Sequence, residues 1–123
     1  MDLNLSGKHA LVCGGSEGIG RAAAIELAAL GADVTLLARR DDALRDAVAA
    51  LPARATQCHG HLVADVSQAT ALADAVAALI AKKPVHILVN NTGGPLCGPA
   101  HAAAIDAYLD AFNKHLVANH TLL

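Results

Sequence analysis

Three glycines, Gly14, Gly18 and Gly20, punctuate the stretch Cys13-Gly14-Gly15-Ser16-Glu17-Gly18-Ile19-Gly20, between an apolar run and an alanine-rich helical pattern. A chain that passes sharply from strand to helix needs such residues, because glycine adopts the required backbone angles at no steric cost. The turn leaves backbone N–H groups pointing into open space at a helix N-terminus, where the macrodipole also favours negative charge. That is a place for a pyrophosphate and therefore for a dinucleotide, with Gly14, Ser16, Gly18, Ile19 and Gly20 as candidate contacts. Other reactive side chains form no comparable set. His59 and His61 share one strand face, but no carboxylate or cysteine completes a metal set with recognisable spacing, so they read as exposed histidines and no metal is expected. Cys97 lies in a Gly/Pro-rich loop, and nothing in the sequence around it points to a reactive thiol.

The elements that position the glycine turn follow from hydrophobic patterning. His9–Cys13 reads as a buried strand entering the glycines. From Gly18 to Leu30 the pattern is helical, with Ile19, Ala23, Leu27 and Leu30 on one face, and Gly31 stops it. Val34–Ala38 is a second strand. The helix Asp41–Leu51, ended by Pro52, places Leu44, Ala47, Val48 and Leu51 on one face. A weaker third strand falls within Gln57–Ala64, interrupted by Gly60. Ser67 suits the N-cap of the next helix, whose stripe is Leu72, Ala75, Val76, Leu79 and Ile80 and which Pro84 closes. Val85–Val89 is the fourth strand, followed by a turn-rich segment and a last helix from about Ala104. The order β-α-β-α-β-α-β-α demands parallel strands with right-handed crossovers, the first half of a doubly wound α/β, Rossmann-like sheet, and residues 1–123 form a single dinucleotide-binding domain.

The spacing Gly-x-x-x-Gly-x-Gly differs from the common G-x-G-x-x-G fingerprint and resembles that of the short-chain dehydrogenase/reductase family, whose pattern is Thr-Gly-x-x-x-Gly-Ile-Gly. Gly14, Gly18, Ile19 and Gly20 match it, and Cys13 replaces the Thr. Asp65-Val66 after the third strand looks like the family's adenine-contacting Asp-Val. Asn90-Asn91-Thr92-Gly93 after the fourth is similar to its Asn-Asn-Ala-Gly, and Leu5-Ser6-Gly7-Lys8 is also common there. The resemblance covers essentially the whole chain and implies cofactor contacts at Asp65, Val66, Asn90, Asn91 and Gly93. Cofactor choice follows from charge. An acid at the end of strand two would bind the ribose hydroxyls and repel a 2′-phosphate, whereas this chain has Ala38 followed by Arg39 and Arg40. NADP(H) is expected over NAD(H), with Arg39 the main contact through charge-assisted hydrogen bonds. The competing role for these arginines is a solvated helix start beside Asp41 and Asp42.

The family's chemistry rests on a Ser and a Tyr-x-x-x-Lys pair. The sole tyrosine here is Tyr108, with Phe112 four residues on, and core packing is the role expected for Tyr108. No catalytic residue is assigned. The family's supporting helix Asn falls at His115 by spacing from Tyr108, with Asn119 one turn later on the same face. The chain is thus expected to be the NADP(H)-binding portion of a carbonyl or alcohol oxidoreductase, inactive as 123 residues, or alternatively a stand-alone, non-catalytic half-domain that binds dinucleotide or assembles. A methyltransferase-like nucleotide binder fits poorly, because the Asn-Asn-Thr-Gly segment has no role there. A strand order 3-2-1-4 would leave strand four as an apolar edge, so a homo-oligomer closing that edge or pairing the last helices is expected.

Composition sets the outer bounds. The 123 residues suffice for one domain, and a net charge of −2 argues against a nucleic-acid surface. Three cysteines without metal spacing suggest reduced thiols. Neither a signal-peptide pattern nor an apolar run near the roughly 20 residues of a membrane span occurs, and the expectation is a soluble, cytoplasmic protein.

Overall fold

The computed structural model describes residues 1–94 and 97–123. Four parallel strands, β1 (His9–Cys13), β2 (Asp33–Ala38), β3 (Gly60–Val63) and β4 (Ile87–Val89), form one sheet in the order β3-β2-β1-β4. Between them run α1 (Gly18–Ala29), α2 (Asp41–Ala49) and α3 (Ala69–Lys82). After β4 come a 3₁₀ turn (Ala100–Ala102), α4 (Ile105–Phe112), a π-helical stretch (Asn113–Val117) and α5 (Ala118–Leu122). The parallel, doubly covered sheet expected from the alternation is present.

Strand side chains alternate between two cores. Ala10 and Val12 of β1 join Val34 and Leu36 of β2 beneath α1 and α2, with Ala24, Ala28, Leu44 and Ala47 from the helices. Leu11, Cys13 and Leu37 face the other way, onto Leu72 and Val76 of α3 and Ala118 and Leu122 of α5. Leu11, Leu36, Leu37, Leu44 and Leu72 are fully enclosed, each contributing about 2 kcal/mol. No helix among the described residues is long and apolar enough to cross a membrane.

Several local expectations are corrected. The buried face of α1 is Gly20, Ala24 and Ala28, not the Ile19–Leu30 stripe, and Ile19 is 82% exposed. A parallel sheet covered closely by a helix selects its smallest residues for the contact, and the larger apolar side chains are displaced to the flanks. Gly60 opens β3 rather than interrupting it. Ser67 does not cap α3, whose N-cap is Gln68 without a side-chain bond; its hydroxyl instead donates to Oδ1 of Asp65 at 2.7 Å. Tyr108 is not in the core. It is 48% exposed, and its hydroxyl donates to the Ala100 carbonyl. The last helix is not uniform, since its middle widens into the π-helical stretch. His59 is not a free exposed ring, because it bridges backbone groups at the base of the sheet.

That base is densely bonded. His9 is buried at the start of β1, with Nδ1 3.0 Å from the Pro84 carbonyl and Nε2 2.7 Å from Oγ1 of Thr35. Nδ1 must donate to the carbonyl, and in the neutral ring Nε2 then accepts from the hydroxyl. Burial lowers its pKa from the usual value near 6.5. The His9 N–H donates to Nδ1 of His86 (3.0 Å), and the Val34 N–H to Nδ1 of His59 (3.1 Å), whose Nε2 donates to the Pro52 carbonyl (2.8 Å). Asp33 accepts from the Cys58 N–H at 2.8 Å and pairs with Lys83. Burial pushes the Asp33 carboxyl up, but the Lys83 ammonium and the Cys58 N–H outweigh it and hold its pKa below the ordinary value.

Candidate functional site

The opposite, carboxyl end of the sheet is open. A cleft of about 520 Å³ is lined by Gly14, Glu17, Gly18 and Ile19 from the β1–α1 turn, Leu37, Ala38 and Arg39 from the end of β2, Ala64 and Val66 after β3, and Asn91, Thr92 and Gly93 after β4. Open α/β sheets place their ligands here, where successive crossovers leave in opposite directions and their loops splay apart.

The turn is built by glycines in two ways. Gly14 (φ +62°) and Gly18 (φ +58°) lie in the left-handed region that other residues avoid. Gly20 is required by contact instead, because a Cβ there would lie 2.2 Å from the Gly14 carbonyl oxygen and 2.9 Å from Nδ2 of Asn91. Helix, turn and β4 loop therefore meet at one point. Above Gly18 nothing lies within 4 Å of an added Cβ, so the space over the helix start is free. Glu17 is the N-cap of α1 but makes no side-chain capping bond, and the first helical bond runs from Arg21 N–H to the Glu17 carbonyl. The N–H groups of Gly18, Ile19 and Gly20 remain available to an anion. The bare glycine backbone and the open space over Gly18 suit a pyrophosphate.

Arg39 and Arg40 divide. Arg40 pairs with Asp42 at 3.0 Å on the exposed start of α2, as a solvated helix start would have it. Arg39 lines the cleft and makes no ion pair among the described residues. Ala38, where an acid would select ribose hydroxyls, is also in the lining. Glu17 is a lining residue that sequence reasoning passed over although it sits inside the glycine motif, and it sets negative charge against Arg39 in the same cleft.

Of the other expected contacts, Val66, Asn91 and Gly93 line the cleft. Ser16 lies in the β1–α1 turn and Asn90 is exposed just beyond β4, both outside the lining. Asp65 lies beside it, in a smaller cavity of about 150 Å³ shared with Arg39, Val66, Thr92, Gly93, Gly94 and Lys114. Its Oδ1 accepts from the Ser67 hydroxyl and the Ser67 N–H (2.9 Å), and these bonds hold its carboxyl below the usual range. His115, not Asn119, reaches the β4 loop: its Nδ1 is 2.9 Å from Oγ1 of Thr92, and its buried Nε2 has no hydrogen-bond partner among the described residues. Lys114 carried no sequence signal, because only the fold brings the π-helical continuation of α4 against the β4 loop, whose Thr92 lay inside the Asn-Asn-Thr-Gly motif.

Nothing here is arranged as a nucleophile or a metal centre. Cys13 is buried below the turn, and burial pushes its thiol up to about 11. Among the described residues no group of three or more His, Cys, Asp or Glu side chains could hold a metal ion.

Known proteins share this arrangement. A family model described as short chain dehydrogenase matches residues 8–120. A tropinone reductase homolog of Arabidopsis thaliana is 41% identical over 92 residues, covering 73% of this chain and 28% of its own. L-xylulose reductase of Mesocricetus auratus is 34% identical over 118 residues, covering 96% of this chain and 45% of its own. The crystal structure of L-sorbose reductase from Gluconobacter frateurii, complexed with NADPH and L-sorbose, superposes with a TM-score of 0.90 at 29% identity, over 99% of this chain and 47% of that one. The chain spans less than half the length of each of these relatives.

Proposed function

The chain belongs to the short-chain dehydrogenases, and from that premise we propose that it is the NADP(H)-binding portion of an oxidoreductase acting on a carbonyl or alcohol. The observation that carries the reading is one cleft holding both the open N-terminus of α1 over Gly18 and the Arg39 guanidinium, which makes no ion pair among the described residues. When bound, the nicotinamide supplies hydride transfer to or from the substrate carbon. The chain's own residues bind and orient. Gly14, Gly18, Ile19 and Gly20 offer backbone to the pyrophosphate, with Ser16 beside them in the turn. Arg39 takes the 2′-phosphate, and Asp65 and Val66 take the adenine. Asn91 and Gly93 form the wall after β4, with Asn90 exposed beside them. That a sugar reductase of the same fold crystallised with NADPH supports the cofactor class.

Calorimetric titration with NADPH and NADH tests this. NADPH is expected to bind about tenfold tighter, the scale of one charge-assisted hydrogen bond. Equal or tighter NADH binding overturns the preference, and no binding of either overturns the site.

The non-catalytic alternative draws on Tyr108, which is followed four residues on by Phe112 rather than Lys. It predicts NADPH binding without oxidation of NADPH on any carbonyl panel, and turnover by this chain refutes it. Assembly is part of the proposal: the outer edge of β4 pairs with no strand among the described residues, and Ile105, Tyr108, Leu109, Phe112 and Leu116 leave an apolar face on the last helix exposed. Light scattering should find a homo-oligomer, and a clean monomer at high concentration refutes it. The three free thiols fit a reducing, cytoplasmic compartment.

A further inference from the structure

The smaller cavity is continuous with the large cleft, since Arg39, Val66, Thr92 and Gly93 line both. Its remaining wall comes from Asp65, Gly94 and Lys114, the last in the π-helical stretch after α4. The Lys114 ammonium is held one turn back by Asp110 at 2.7 Å, and the side chain is only 34% exposed. A lysine tethered at its tip lays its methylene stem along the surface below it instead of extending into water. The next residue, His115, is bonded to Thr92 and so holds this part of the helix against the cavity. The space is thus lined by Val66 as an apolar face, by the Lys114 side chain and by the Asp65 carboxylate, whose Oδ1 serves Ser67 while its other oxygen makes no hydrogen bond among the described residues. Those are the requirements of a flat heteroaromatic base with an exocyclic amino group.

We propose that Lys114 is a further cofactor-binding residue, its stem packing on the base of the dinucleotide while Asp110 holds its ammonium at the rim. This rests on the dinucleotide reading above, but not on the NADP preference, because a base contact is blind to the 2′-phosphate.

Calorimetry with NADPH and NADH on the wild-type chain, Lys114→Ala, Lys114→Met and Arg39→Ala tests it. Lys114→Ala should weaken both cofactors by the same factor, about fourfold, as for one buried methylene. Lys114→Met, which keeps the stem and discards the charge, should recover most of that loss. Circular dichroism should show both variants folded. Unchanged affinities in Lys114→Ala overturn the proposal, as does a loss confined to NADPH, which would make the lysine a phosphate contact. No recovery in Lys114→Met overturns the role of the stem. Should Arg39→Ala show no selective loss of NADPH while Lys114→Ala weakens both cofactors, the NADP preference fails and the base contact stands. Should the wild-type chain bind neither cofactor, the dinucleotide reading fails and takes this proposal with it.

Discussion

The two ends of the sheet are built on opposite principles. At the amino ends of the strands, side chains satisfy the backbone of neighbouring segments: His9 with Pro84 and Thr35, His59 with Val34 and Pro52, Asp33 with Cys58 and Lys83. At the carboxyl ends, glycine removes side chains, the start of α1 goes uncapped, and Arg39 has no ion-pair partner among the described residues. One rim spends its polar groups on holding the chain together. The other keeps them available, so stability and binding are carried by different residues and should be separable.

The strongest test breaks the separation where the open rim is also a packing point. Gly20→Val forces a side chain into the Gly14 carbonyl and the Asn91 amide, and should cost about 3 kcal/mol of stability and abolish cofactor binding. Denaturant unfolding and calorimetry read the two effects. His9→Leu attacks the closed rim. It orphans the Thr35 hydroxyl and the Pro84 carbonyl and should cost about 2 kcal/mol, with NADPH affinity in the folded protein unchanged.

Acidification probes the same residue without mutation. Because folding depresses the pKa of His9, its contribution is full above pH 6.5 and is lost as pH falls through the folded value. Asp33 is also depressed, so its share is full above the ordinary aspartate range near 4 and is lost below it. The melting temperature should therefore fall first below about pH 6.5 and again below about pH 4, with His9→Leu lacking the first step. Arg39→Ala should cost about tenfold in NADPH affinity, spare NADH and leave the melting temperature unmoved. Smallest is Glu17→Gln, which removes negative charge from the start of α1 and should tighten both NADPH and NADH about threefold, since both carry the pyrophosphate.

How much of this was legible in the sequence follows the range of the forces involved. The apolar runs at His9–Cys13 and Val34–Ala38 and the Gly14–Gly18–Gly20 spacing are local, and they specified the strand order and the turn. The inner face of α1 was misread because leucine and isoleucine dominate a hydrophobic pattern, while close approach to a sheet rewards Gly20, Ala24 and Ala28. Ser67 and His59 were misread because each had a plausible role and was claimed by another partner, Asp65 two residues back in one case and the distant backbone of Val34 in the other. Lys114 reaches the cavity only through the docking of the last helix, and the π-helical stretch that sets its register has no glycine or proline to announce it.

Tyr108 has an optical consequence. The chain has no tryptophan and no second tyrosine, and this ring sits on α4, tied by its hydroxyl to Ala100 and away from both cores. The tyrosine fluorescence of the protein is therefore a one-residue signal from α4. Whatever covers or loosens that helix will change the signal, while melting of the sheet will reach the detector only when the helix goes with it.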